Sequence, residues 1–231
     1  MKRITCLGIL LAALFSTVAR AQTAEQLVQQ IRAKLDKVND YEAKGTMKMN
    51  VTFIKAPVAT VTVYYKKPDK LKINNEKGIS LVPRGSVNIS IGAVLANANQ
   101  YDIIDAGRED KTGLRIIKLL PRDENADVVL ATFYVDEKLA LVKKAKTTSR
   151  ENGTYELELS YGKYAKYGLA DKVIFSFNTK DYKLPKGVSF DYKDGSQPKP
   201  ATDKPENKKG KIEITYSSYK LNKGVPDSVF N

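Results

Sequence analysis

The sequence predicts a mainly β protein, a curved antiparallel sheet that forms an incomplete β-barrel capped by a few helices. Three observations carry this. Long stretches alternate apolar and polar residues, as in "MKMNVTF" (47–53) and "TYELELSY" (154–161). Turn residues punctuate those stretches at short intervals, so successive strands pair as hairpins. Helical periodicity is confined to one clear segment and one short one. One-sided alternation over many hairpins means a sheet with one covered face, and a sheet that wide must curl.

Taken in order, the chain of 231 residues opens MKRITCLGILLAALFSTVARAQ. Lys2 and Arg3 make a basic start, Leu7 to Val18 an apolar run, and Ala19-Arg20-Ala21 a small-x-small cleavage site. The run is shorter than the roughly 20 residues a membrane span needs. Residues 1–21 are therefore expected to be a cleaved secretory signal, with Gln22 as the mature N-terminus. Cys6 precedes the apolar run, so it does not read as a lipid anchor. It is the one cysteine of the chain, so the mature protein enters an oxidising compartment without a disulfide. A bacterial periplasm, that of a Gram-negative cell, fits this usage.

A helix should follow. Thr23 is an N-cap with Gln26 as its capping-box partner, and Leu27, Ile31, Leu35 and Val38 form an apolar stripe that ends at Asn39-Asp40. Strands are then expected at Ala43 to Ile54 and Ala59 to Lys66, with Ala56-Pro57 as their turn. Met47, Met49, Val51 and Phe53 share one face of the first, and Val61, Val63 and Tyr65 continue it on the second. Leu71 and Ile73 open a third strand. Gly78, Pro83 and Gly85 punctuate an ambiguous stretch, and Ile91 to Asn99 reads as a short helix with Val94 and Leu95 on one side. YDIID, GLRIIKLL, ATFYVD, LALVKKAKTTS, TYELELSYGKY, KVIFSFN, VSFDY and KIEITYSSY read as further strands, with turns at Asn152-Gly153 and Asp181-Tyr182. Residues 194–210, rich in Pro, Lys and Asp, read as a mobile loop. No repeat or boundary divides residues 22–231, so a single domain is expected.

Composition narrows the chemistry. There is no histidine, which removes every catalytic triad that uses one, and no mature cysteine, which removes thiol catalysis and the usual zinc sites. "GREDKTG" (107–113) lacks the order of a phosphate-binding loop and reads as a strand connection. Asp123 and Glu124 are better read as solvated than as an acid pair. No catalytic residue, metal or cofactor is expected. The formal charge of +13 falls by three with the signal, since Lys2, Arg3 and Arg20 leave with no acidic residue. Such a balance favours anionic partners or simply a solvated lysine surface, and nucleic acid does not suit the compartment.

Five stretches resemble the LolA-type periplasmic lipoprotein carriers, the outer-membrane lipoprotein-sorting family. They are "LVQQIRAKLDKVNDYEAKGTMKM", "VYYKKPDKLKI", "IGAVLANANQYDII", "FYVDEKLALVKKAKTTSRENGTYELELSYGKY" and "LNKGVPDSVFN". Their order matches the family's first helix and strand, its proline step, its lid helix, its paired strands and its closing segment. The resemblance implies a half-barrel with a helical lid. It implies a monomeric carrier that binds the acyl chains of lipoproteins or lipids without a cofactor. It also implies delivery from an inner-membrane ABC transporter to an outer-membrane acceptor. Lys67 stands where the family has an arginine that latches the lid, and lysine lacks the planar fork for several fixed bonds. No proline matches the family's lid proline, and 194–210 looks like an insertion.

These readings give a set of expected positions. Met47, Met49, Val51, Phe53, Val61, Val63, Tyr65, Leu71, Ile73, Val94 and Leu95 should line an acyl-chain cavity, Leu27, Ile31, Leu35 and Val38 should form the lid, and Lys67 should be the latch. The methionines and the 13 tyrosines suit either plain core packing or an adaptable, amphipathic cavity wall. A lipid- or lipoprotein-sensing regulatory module on the same fold is the alternative function.

Overall fold

The computed structural model describes residues 22–50, 58–68, 70–75, 91–150, 153–178 and 209–230. The signal segment, Val51 and Phe53, residues 76–90, Asn152, Asp181-Tyr182, VSFDY and residues 194–208 lie outside the described residues.

The first helix, α1 (Ala24–Leu35), starts as the sequence predicts. Gln26 N–H donates to the Thr23 hydroxyl at 3.2 Å and Thr23 N–H donates to the Gln26 side chain at 3.0 Å, a complete capping box. The helix stops earlier than expected, with Asp36 as its C-cap. Lys37 and Val38 then donate to the carbonyls of Lys34 and Leu35, three residues back, so the last turn tightens. Val38 is thus outside the helix, yet it is buried.

Ten antiparallel strands follow among the described residues, β1 (Asp40–Asn50), β2 (Ala59–Lys66), β3 (Lys70–Asn75), β4 (Tyr101–Arg108), β5 (Arg115–Pro121), β6 (Val128–Asp136), β7 (Leu141–Ser149), β8 (Gly153–Ser160), β9 (Lys172–Asn178) and β10 (Lys209–Leu221). Between β3 and β4 lies α2 (Ile91–Ala96), which gives way to a 3-10 turn at Ala98–Gln100 instead of running on to Asn99. β8 stops short of Tyr161, and Ala165–Tyr167 forms a 3-10 turn. Lys209 and Gly210, expected in the loop, belong to β10.

The spatial order is β3-β2-β1-β10-β9-β8-β7-β6-β5-β4. Consecutive strands are antiparallel neighbours except β3 and β4, and the last strand also pairs with the first. β3 and β4 are the two ends, so the barrel is incomplete. No helix among the described residues is long and apolar enough to cross a membrane.

One apolar face runs through all the strands. Directly paired residues carry it from Met49 through Ile212, Phe175, Leu157, Ala145 and Phe133 to Ile117. A second row runs from Met47 through Ile214 and Val173 to Leu159. Lys48 and Asn50 face solvent on the other side.

Candidate functional site

The apolar face holds two clusters. In the larger, Leu27, Val28 and Ile31 of α1 and Val94 and Leu95 of α2 pack with Ile117, Leu119, Phe133, Val135 and Leu157 of the sheet, and Leu35 packs at the margin. In the smaller, Met47, Val61, Val63, Ala43 and Ile214 pack with Tyr41, Leu71, Ile73, Tyr216 and Tyr219. Among the described residues, none of α1 or α2 belongs to the smaller cluster.

This divides the expected positions. Met47, Met49, Val61, Val63 and Tyr65 do share a face, since Met47 pairs with Ala59, Ala43 with Val63 and Tyr41 with Tyr65. Val94 and Leu95 sit in the other cluster, beside α1 and not beside the methionines. The helices cover the β4–β9 side of the face, and the methionines occupy the β1–β3 side. The reason is topological. β10 inserts between β1 and β9, which moves β1, β2 and β3 away from the strands under α1.

Both ends of α1 are tied to the sheet. At its entry, the Arg115 guanidinium donates to the Gln22 carbonyl at 2.6 Å, to Glu137 Oε1 at 2.6 Å and to Asp105 Oδ2 at 2.6 Å. Arg115 is largely buried, and Arg108 also pairs with Glu137. The bond from Arg115 holds the Asp105 carboxyl below the usual carboxylate range. At the exit, Lys67 Nζ donates to the Asp36 carbonyl at 2.9 Å and approaches its carboxylate at 3.4 Å. The lysine thus reaches the C-cap of α1, where a cation suits the helix dipole. Asn222 closes the same corner. Its amide donates to Lys37 O at 2.8 Å and its side-chain oxygen accepts from Asn39 N–H at 2.7 Å. The nearly buried Asp40 carboxylate accepts from the Lys223 and Gly224 N–H groups at 3.0 Å each. The sequence singled out Lys67 but not Arg115 or Asn222. An arginine on a short strand and an asparagine before Lys-Gly carry no local mark of a partner far away in the chain.

Five tyrosines meet at the β1–β2–β10 end of the apolar face. Tyr41 stacks on Tyr65 with centroids 5.2 Å apart and meets Tyr219 edge-on at 5.4 Å. Tyr219 also lies 4.8 Å from Tyr164 and 5.1 Å from Tyr216. Its hydroxyl donates to the Ala170 carbonyl at 2.6 Å. Burial pushes the Tyr41, Tyr216 and Tyr219 hydroxyls well above the ordinary phenol range, so they stay neutral.

The outer face differs between the two halves. On β3, β2, β1, β10 and β9 it bears Lys66, Lys70, Lys72, Lys44, Lys48, Lys211, Lys172 and Lys220 against Asp40, Glu42 and Glu213. Asp227 of the closing segment adds one carboxylate, bonded to Lys66 and Lys70. On β7 and β8 the outer charges balance, since Lys144 faces Glu158 and Lys146 faces Glu156. Asp123 and Glu124 are exposed in a turn, where Asp123 accepts from Asn125 N–H at 2.9 Å. Among the described residues no group of three or more His, Cys, Asp or Glu side chains is placed to hold a metal.

The sequence matches no family model and no curated protein. The structure does match solved ones. A domain assigned to outer-membrane lipoprotein sorting from Vibrio parahaemolyticus aligns with a TM-score of 0.54 at 12% identity, over 90% of this chain and 97% of that one. A LolA superfamily protein from Nitrosomonas europaea aligns at 0.54 and 11%, over 91% and 98%. A DUF1329 family protein from Desulfovibrio piger ATCC 29098 aligns at 0.53 and 10%, again over 91% and 98%. The chain therefore has the half-barrel fold of the lipoprotein-sorting and LolA superfamily structures, as the five sequence stretches indicated.

Proposed function

We propose that the protein carries acyl chains of lipoproteins or lipids across a bacterial periplasm, holding them on the apolar face of the half-barrel. We also propose that residues 1–21 are removed and that residues 22–231 act as one binding domain without a catalytic role. One observation supports this most. The apolar face continues past the part that α1 and α2 pack on, into the region of Met47, Val61, Val63 and the tyrosines. Methionine and tyrosine suit a wall that repacks around flexible apolar cargo while its polar edge stays wet. In this reading α1 is the movable part. Its polar ties to the sheet lie at its two ends, so cargo has to displace the apolar Leu27–Ile31–Leu35 contact without breaking a sheet. Hand-over from an inner-membrane ABC transporter to an outer-membrane acceptor belongs to the same proposal.

The test is native mass spectrometry of the protein isolated from its own compartment, paired with titration of a fluorescent fatty acid. Co-purified lipid and saturable probe binding are expected. A protein that carries no lipid and binds no probe would sink the carrier reading. It would leave the regulatory module on this fold as the function to pursue.

A further inference from the structure

We infer that the outer face of the β3-β2-β1-β10-β9 half docks on an anionic phospholipid bilayer. The inference goes beyond acyl-chain carriage, because it uses the opposite side of the sheet and needs no cavity. Lysines outnumber carboxylates two to one there, whereas the facing pairs of β7 and β8 cancel. Lys44, Lys48 and Lys211 extend into solvent. Glu213 lies among Lys172, Lys211 and Lys48, and its only ion pair among the described residues is with Lys172, at 2.9 Å.

The type and spacing of the cations choose the partner. No arginine lies on these five strands, and the described arginines sit in α1, β4, β5, the turn after β5 and the turn after β7. Lysine is a hydrated point charge without the fork that recognises one phosphate bidentately or stacks on a base. Lys44 and Lys48 are four residues apart on one strand, about 13 Å. Lys44 and Lys48 so spaced do not converge on a single small anion, and Glu213 already fills the place among Lys48, Lys211 and Lys172. They match a lateral array of anionic head groups, where each lysine near the surface strengthens binding by about fivefold.

The experiment is vesicle co-sedimentation of the purified protein. One set of vesicles is phosphatidylcholine alone and the other contains about one third phosphatidylglycerol. The protein should sediment with the second set, not the first, and lose that binding as salt shortens the screening length to about 8 Å and below. The variant Lys44→Glu/Lys48→Glu/Lys211→Glu should bind at least about tenfold more weakly. A control, Lys111→Glu/Lys118→Glu/Lys138→Glu, changes net charge equally on the other half and should stay within about twofold. Fatty-acid probe binding should not change in either variant, which separates this inference from the carrier reading. Should the first variant fail to fold, Lys44→Gln/Lys48→Gln/Lys211→Gln decides, with an intermediate loss expected. Equal sedimentation with both vesicle types would overturn the proposal. So would equal losses in variant and control, or competition by a single-stranded oligonucleotide as strong as that by the anionic vesicles.

Discussion

Gly45 shows how much one residue carries. β1 and β10 slip register there, because Ser217 is an extra residue opposite the Lys44–Gly45 step. The slip brings the Thr215 carbonyl oxygen to 2.4 Å from where a Cβ on Gly45 would stand. Backbone cannot rotate away as a side chain can, so Gly45→Ala should destabilise by about 1–3 kcal/mol, measured by urea unfolding. An unchanged midpoint would mean that the bulge yields freely. Nothing local warns of it, since a glycine inside an alternating run marks a bulge only once the partner strand is known. Arg115 is a second such residue. Its partner Asp105 has a folded-state pKa below the unfolded one, so its stabilisation is present above the ordinary carboxylate range. It is lost as pH falls through the lowered value. Arg115→Gln should therefore cost stability at pH 7 and flatten the acid limb of the stability curve. Parallel acid limbs for the two proteins would refute that assignment.

At the level of elements, strand type and order were legible wherever alternation was clean. β2 and β9 begin and end where the pattern does, at Ala59–Lys66 and Lys172–Asn178. Ends were less legible where geometry overrides pattern. Val38 keeps the helical spacing of the α1 stripe and is buried, yet the helix has already closed on Asp36. Spacing reports which side a residue faces and not which hydrogen bonds its backbone makes. The helix itself offers a sharper measurement. Thr23→Ala removes one half of the capping box and should cost about 1 kcal/mol. If α1 is the gate, the same change should leave fatty-acid affinity equal or higher, because loosening the lid raises the population of open molecules. Lower affinity at lower stability would instead make α1 part of the fixed wall.

At the level of the molecule, the sequence showed that one face of the sheet is apolar but not that the face is divided. The division follows from β10 returning to pair with β1, a contact across almost the whole chain that no local pattern encodes. It makes the two roles open to the methionines, plain core or adaptable cavity wall, testable. Phe133 lies fully buried in the helix-covered cluster, and Met47 lies in the other. Phe133→Ala should behave as an ordinary core truncation and cost about 3–5 kcal/mol. Met47→Leu conserves volume and should cost under about 1.5 kcal/mol whatever the face does. The two readings part on binding. If the face only fills a core, Met47→Leu leaves fatty-acid affinity where it was. If the face repacks around cargo, the branched and stiffer leucine has fewer shapes to offer, and affinity falls severalfold while the melting temperature barely moves. A loss of binding that appears only when stability is also lost would place Met47 in the core and move the search for cargo contacts to the tyrosines at the β1–β2–β10 end.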